Sequence, residues 1–413
     1  MSSHVGTNLT KGAVIGSFLS AAAIVGLSSS ITVWQRNMGL DGAQVGLLSG
    51  LLSMAIAVGS LGATPLQNRF GRIGIYRTSL LLTAVSFAVC AVAPNFPVLL
   101  IGVMFSGFFT GFDLPVSLSL VSDTRYTGEN NVRQISLTQS GWQLGIFVIM
   151  GFAFLISFIP GNIGDRSTYA FLTLIALLAG IYRIVAVRFT TRELEHEAED
   201  CGTKTVRPDK NNSKTDGRLF WKTFDSQHLA LFFGILVYYV FWNFLGNTWG
   251  QFQTFIFVNA DATQSMATGI GLAICFVNFL ASLLVPAVGG TRFEKPLFYL
   301  GGALVTGSLA VLALWGDQLI VLVIATTTLT SGLQFAGEAY NKVWIQTSFA
   351  DNRIRTTVQG FVLAVSRILC SLLALFTPAL VVPGTIKLTM LVFLGFAVIY
   401  LVAGLRVLAL RQE

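Results

Sequence analysis

The sequence predicts an all-α membrane protein of twelve transmembrane helices in two six-helix halves, and three observations predict it. Composition is the first: of 413 residues, 54% are hydrophobic and only 11% are charged, with 33 Phe and a mean hydropathy of +0.71. A water-exposed domain carries about a quarter charged residues, so this chain lacks the polar surface to cover itself in water. The second is that apolar runs long enough to cross a bilayer, roughly 17–25 residues each, recur along the whole length. The third is an internal echo. "SGFFTGFD" (106–113) and "SGLQFAGE" (331–338) each begin Ser-Gly and end on a carboxylate seven positions later, and "RFGR" (69–72) is answered by "RFEK" (292–295).

The runs are 12–34, 43–66, 76–94, 97–121, 136–159, 168–187, 228–257, 264–287, 296–315, 318–342, 356–380 and 386–406. Each is expected to be a helix, because an open strand leaves backbone groups unpaired in hydrocarbon. The N-terminal half is therefore 1–187 and the C-terminal half 228–413. Residues 188–227, with "RELEHEAEDCGTKTVRPDKNNSKTDGR", are charged and without apolar periodicity, and predict a linker between the halves. Asp113 and Glu338 fall in spans four and ten, and the two Arg-Phe motifs follow spans two and eight. Matching offsets in matching places indicate a duplication, with parallel halves related by an axis along the membrane normal.

Lys and Arg set the orientation. With both termini cytoplasmic, 21 of the 26 basic residues lie inside, Arg183 being counted at the edge of the central linker. Only Arg36, Arg166 and Lys387 lie outside, and Lys342 and Arg367 fall within spans. The expected location is thus the plasma (inner) membrane, multi-pass, with the sequon at Asn211 facing the cytosol. The net charge of +7 sits in short loops, as topology demands, and predicts no nucleic-acid partner. The first ten residues have no basic n-region, so no cleavable signal peptide is expected. Cys90, Cys275 and Cys370 lie in spans, Cys201 lies alone in the linker, and no Cys/His spacing suits a disulfide or a metal. No nucleophile–base set or phosphate loop is found either, so neither an enzyme nor a cofactor is expected.

Several motifs carry a resemblance. "TPLQNRFGRI" (64–73), between spans two and three, keeps Arg69, Gly71 and Arg72 of a Gly-x-x-x-Asp-Arg-x-Gly-Arg run, with Asn68 where the acid is usual. Gln139 and Gly145 match Gln-x5-Gly of a fifth helix. "FWNFLGNTWGQFQTFIF" (241–257) keeps Asn247 and Phe257 of a seventh, with Phe241 and Trp242 in place of paired glutamines. "FADNRIRTTVQG" keeps Arg353 and Arg355 before span eleven. Across essentially its whole length the chain resembles the major facilitator superfamily, and within it most closely the prokaryotic sugar and polyol porters. The resemblance implies the major facilitator fold, with spans one, four, seven and ten around a central cavity. It also implies a cytoplasmic gate of Arg69, Gly71, Arg72, Arg353 and Arg355, in which Asp123 substitutes for the missing acid.

The paired acids are the candidate chemistry. Asp113 precedes Asp123 by ten residues, roughly 15 Å of helix and about half of a ~30 Å hydrocarbon core. A charge at that depth is costly and survives by facing protein or water, or by taking a proton. Asp113 has no cation in its own span and is expected to couple protons. Glu338 is a second coupling acid or a structural ion pair, with Lys342 one turn on and Arg367 in span eleven as partners. Porters of the resembled kind usually carry an acid in the first helix; span one has none, leaving proton symport through Asp113 or uniport.

For the substrate, Gln139, Trp142 and Gln143 in span five, and Trp242, Asn243, Asn247, Trp249 and Gln251 in span seven, set amides among aromatic rings. Amides bond hydroxyls and rings cover C–H faces, whereas the alternative for any one amide is helix–helix glue. The expected function is alternating-access transport of a small neutral hydroxylated solute, a sugar or a polyol such as inositol, by a monomer in the lipid bilayer. Proton-driven export of hydrophobic compounds and a non-transporting sensor are the alternatives.

Overall fold

The computed structural model describes residues 3–411, apart from 41, 123–130, 157–163, 201–225, 261, 263, 289–290, 317, 350–351 and 381–384. Asp123 and the Asn211 sequon lie outside the described residues, as do the side chains of Gln251 and Arg353. Among the described residues twelve helices are long and apolar enough to cross a membrane, and no strand is present.

The spans run Ser3–Met38, Gly42–Phe70, Arg72–Val92, Phe96–Val121, Asn131–Ile156 and Gly164–Asp200 in the N-terminal half. In the C-terminal half they run Ser226–Asn259, Gln264–Ser282 with a short continuation Leu284–Val288, Glu294–Trp315, Leu319–Phe335 continued by Glu338–Ser348, Asn352–Leu380 and Ile386–Leu410. Most extend a turn or more past the apolar runs, since polar residues prolong a helix once it reaches water. Span six continues to Asp200, so the first part of the predicted linker is helical. Its run of Glu and Arg has no apolar period but high helix propensity, which a search for amphipathic patterning does not register. Span ten is broken at Ala336–Gly337, where the apolar first segment gives way to the more polar "EAYNKVWIQTS".

Helix contacts repeat with a shift of six. Span one packs on spans four, five and six, and span three on four and six; span seven packs on ten, eleven and twelve, and span nine on ten and twelve. Spans two and four pair as do eight and ten. The halves meet through span two against span eleven and span five against span eight, a pair of contacts that the same shift interconverts. Glycines permit the closest approaches, as expected where packing rather than the hydrophobic effect joins helices in lipid. A Cβ at Gly111 would strike the backbone of Ile56, and one at Gly145 the carbonyl of Phe18. Spans three, six, nine and twelve lie outermost, presenting Val85, Leu178, Leu314 and Leu388 outward at 58–67% exposure, the surface a bilayer covers.

Candidate functional site

Asp113 sits in span four, 1% exposed, and points toward spans one, three and six. Arg183 of span six closes on it at two points, Nη1 to Oδ1 at 2.5 Å and Nη2 to Oδ2 at 3.1 Å. The Ser79 and Ser117 hydroxyls also donate to Oδ1, at 2.5 and 3.3 Å. The remaining guanidinium protons go to the carbonyls of Gly12 and Tyr76 and to the same serines. Gly12 and Gly16 leave the space: a Cβ at Gly16 would meet both Arg183 Nη2 and Asp113 Oδ2. The Tyr76 ring closes the far side, 4.1 Å from the guanidinium carbon. In the sequence, span four offers Asp113 no cation and Arg183 reads as the edge of the linker. The structure moves Arg183 into the protein interior, fully buried, where it is the partner of Asp113. The available signal is its place in "GIYRIVAV", inside an apolar run.

Glu338 opens the second segment of span ten, in its first turn. A helix start favours a carboxylate through the dipole, and the break creates that start inside the span Leu319–Ser348. Two side chains of span seven bond the backbone at the break: Trp242 Nε1 donates to the Leu333 carbonyl, which the break releases, at 3.1 Å, and Tyr238 Oη donates at 3.0 Å to Gly337 O, which also accepts from Tyr340 N. Gly337 is required there, because a Cβ would collide with the Leu333 carbonyl and crowd Trp242. Tyr239, one residue beyond Tyr238, donates to Glu338 Oε1 at 3.3 Å, and Lys342 Nζ stands 3.4 Å from the same oxygen. Lys342 also crosses to the other half. Its ammonium donates to Gln139 Oε1 at 2.9 Å and lies 5.6 Å from the Trp142 ring centroid, both in span five. Arg367 of span eleven stands 5.9 Å from that same ring and forms no ion pair with Glu338.

Between the halves lies a narrow cavity lined by Ser20, Ile24, Ile56, Thr110, Leu114, Trp142, Leu363 and Arg367. Its open volume is about 10 Å³, room for a single water. Of the predicted substrate residues with described side chains, Trp142 lines it. Gln139 is held by Lys342, and Gln143 is buried one turn further along span five. Asn243 donates to Ser366 Oγ at 2.5 Å and so ties span seven to span eleven. Asn247 is half-buried and has a partner of its own. Trp242 caps the break in span ten, and Trp249 packs against Phe393 inside the C-terminal half, centroids 6.0 Å apart. The amide–aromatic stripe of span seven thus builds the C-terminal half, and hydroxyls of spans one and four, which its pattern does not single out, stand in the cavity.

Toward the face that bears both termini, hydrogen bonds join the halves. Thr64 and Thr357 hydroxyls are 2.7 Å apart, and Thr356 Oγ1 donates to Gln67 Oε1 at 3.0 Å. Ser122 Oγ donates to Gln346 Oε1 at 2.8 Å, while Arg355 Nη1 donates to the Ser122 carbonyl at 3.1 Å. Gly71 makes the loop between spans two and three with a φ of 76°, in the left-handed region that favours glycine. Arg72 reaches the Ser119 carbonyl at 3.5 Å, and Arg69 lies exposed over the Phe70 ring.

Residues 13–378 match the Major Facilitator Superfamily, over the same two halves that the helix contacts define. The chain belongs to the Major Facilitator Superfamily. Among its relatives, the minor myo-inositol transporter IolF of Bacillus subtilis is 24% identical over 96% of this chain and 89% of its own. The niacin transporter NiaP of Acinetobacter baylyi is 31% identical, over 32% of each chain. Among solved structures, the proton:xylose symporter XylE bound to a bromodeoxyglucose superposes with a TM-score of 0.74 at 16% identity, covering 97% of this chain and 95% of that one. A partially occluded inward-open XylE from E. coli gives a TM-score of 0.71 at 14% identity, over 96% of both chains. Those likenesses establish the superfamily fold.

Proposed function

We propose that this chain is a secondary transporter that carries a small hydroxylated solute, of the sugar or polyol class, across the plasma membrane by alternating access. Both termini are cytoplasmic in this proposal, and a proton is the coupled ion. The observation that carries it is the contact at mid-depth between the halves, where Lys342 of span ten donates to Gln139 of span five beside a cavity both halves line. Rocking the halves apart breaks that bond and leaves Lys342 with Glu338 alone.

Proton exchange is assigned to Glu338. It is the acid whose partner changes company when the halves move, so its proton affinity differs between the two states, which coupling requires. The Asp113 pair joins spans of one half and keeps its partners throughout the cycle, so in this proposal it holds that half rigid. The solute class rests on the hydroxyl, indole and aliphatic lining of the cavity and on the near full-length relationship to a protein named as an inositol transporter.

Uptake of labelled inositols and hexoses into proteoliposomes, with and without a pH gradient, tests the proposal. Accumulation driven by an acidic exterior is expected. Uptake of a sugar or polyol that ignores the gradient would remove the coupling, and no uptake of any solute in either condition would remove transport.

A further inference from the structure

Two arginines lie buried among the spans, and their surroundings are opposite. The five N–H groups of Arg183 share seven hydrogen-bond contacts, two of them to a carboxylate. Arg367, 8% exposed, donates to no acceptor among the described residues, and its Nε is wholly buried without a partner. A guanidinium does not shed its proton inside a protein, so it is a fixed charge in a poorly screening place.

The groups around it do not supply the balance. Lys342 is a second cation at the same Trp142 ring. Glu338 is engaged by that lysine and by the Tyr239 hydroxyl, and Asp113 is closed by Arg183. Two cations face one carboxylate, and the rest of the cavity lining, from spans one, two, four, five and eleven, contains no acid. An uncompensated buried charge is strongly unfavourable and draws an anion.

The hydroxyls in the cavity add a second feature. Ser20 donates to the Gly16 carbonyl at 3.0 Å and Thr110 to the Ser106 carbonyl at 2.8 Å. With their protons spent on backbone, both present lone pairs to the cavity and suit a ligand that brings hydroxyl donors. Ile24, Ile56, Leu114 and Leu363 supply apolar walls.

We propose that Arg367 seats a carboxylate of the transported solute while Ser20 and Thr110 accept from its hydroxyls, making the substrate a hydroxylated monocarboxylate such as a sugar acid. The inference rests on the central cavity being the transport site, and it replaces the neutral solute that the amides of spans five and seven suggest. Arginine suits the task because its planar fork matches a carboxylate at two points.

The test is uptake into proteoliposomes at one fixed pH on both sides, using matched pairs: D-glucuronate with D-glucose, D-gluconate with D-sorbitol, and myo-inositol beside them. For at least one pair the acid is expected to half-saturate uptake at a concentration tenfold or more below that of its neutral partner. Arg367→Gln, checked for folding by size exclusion, should erase that preference, and Arg367→Lys should keep the preference with weaker binding. Neutral members taken up as well as the acids would overturn the inference and leave the transport proposal intact. A folded Arg367→Gln protein that keeps the acid preference would overturn it in the same way. No uptake of any member would overturn both.

Discussion

Asp113 and Arg183, seventy residues apart in sequence, meet as a two-point ion pair sealed among spans one, three, four and six. Seven guanidinium hydrogen-bond contacts and two serine hydroxyls leave neither charge in want of a partner. Breaking such a pair from one side costs about 3–5 kcal/mol, because the survivor is stranded, whereas removing both charges together costs far less. Arg183→Leu is therefore expected to lower the thermal unfolding midpoint of the detergent-purified protein sharply, and Asp113→Leu added to it to restore most of the loss. A double variant whose midpoint falls by the sum of the losses of Arg183→Leu and Asp113→Leu alone would show that the two side chains do not depend on one another.

Glu338 should behave differently. Lys342 keeps its bond to Gln139 of the opposite half, and a glutamine keeps an acceptor oxygen for the Tyr239 hydroxyl, so the glutamine variant removes the ionisable group while retaining these hydrogen bonds. Glu338→Gln is expected to exchange solute across the membrane while losing accumulation driven by a pH gradient. The counterflow and gradient-driven assays, run on the same vesicles, separate these effects; undiminished gradient-driven accumulation would transfer the coupling role elsewhere.

Gly360 of span eleven faces the carbonyl of Ser60 in span two so closely that any Cβ would collide with it. This contact crosses between the halves, beside the Thr64–Thr357 and Gln67–Thr356 hydrogen bonds. Gly360→Val should hold the termini face open and reduce transport roughly tenfold or more while the protein stays folded, since a clash with backbone cannot be relieved by a side-chain rotation. Cysteine accessibility at that face, reported by a membrane-impermeant thiol reagent in inside-out vesicles, should rise. Normal uptake by the valine variant would exclude the contact as part of the gate.

The converse manipulation is to tie the same gate shut. In a background without Cys90, Cys201, Cys275 and Cys370, Thr64→Cys with Thr357→Cys is expected to crosslink through a short bifunctional thiol reagent, since the native hydroxyls lie 2.7 Å apart. Crosslinked protein should still bind solute from the opposite face but not translocate it, and reduction of a cleavable crosslinker should restore uptake. Transport that survives complete crosslinking would contradict alternating access through this gate.

The twelve spans, their two matched halves and the carboxylates near mid-membrane are legible in the sequence. Each depends on a local or periodic property: hydropathy long enough to cross a bilayer, and an acid at corresponding places in spans four and ten. Sequence alone also marks Trp142, Lys342 and Arg367 as unusual, because a cation or an indole amid apolar residues stands out one residue at a time. Which of them face one another is decided only by packing. Arg183 reads as the edge of a basic linker until span six folds back against span three and brings it to Asp113. Trp242 and Asn243 read as a ligand face until the broken tenth span and Ser366 claim them. Thr110 carries no sequence signal, since a hydroxyl that satisfies itself on its own helix is as common in packing as in binding. Hydropathy records how much a residue costs in lipid; the direction in which its side chain points, and so the charge it answers, is set by helix rotation within the bundle.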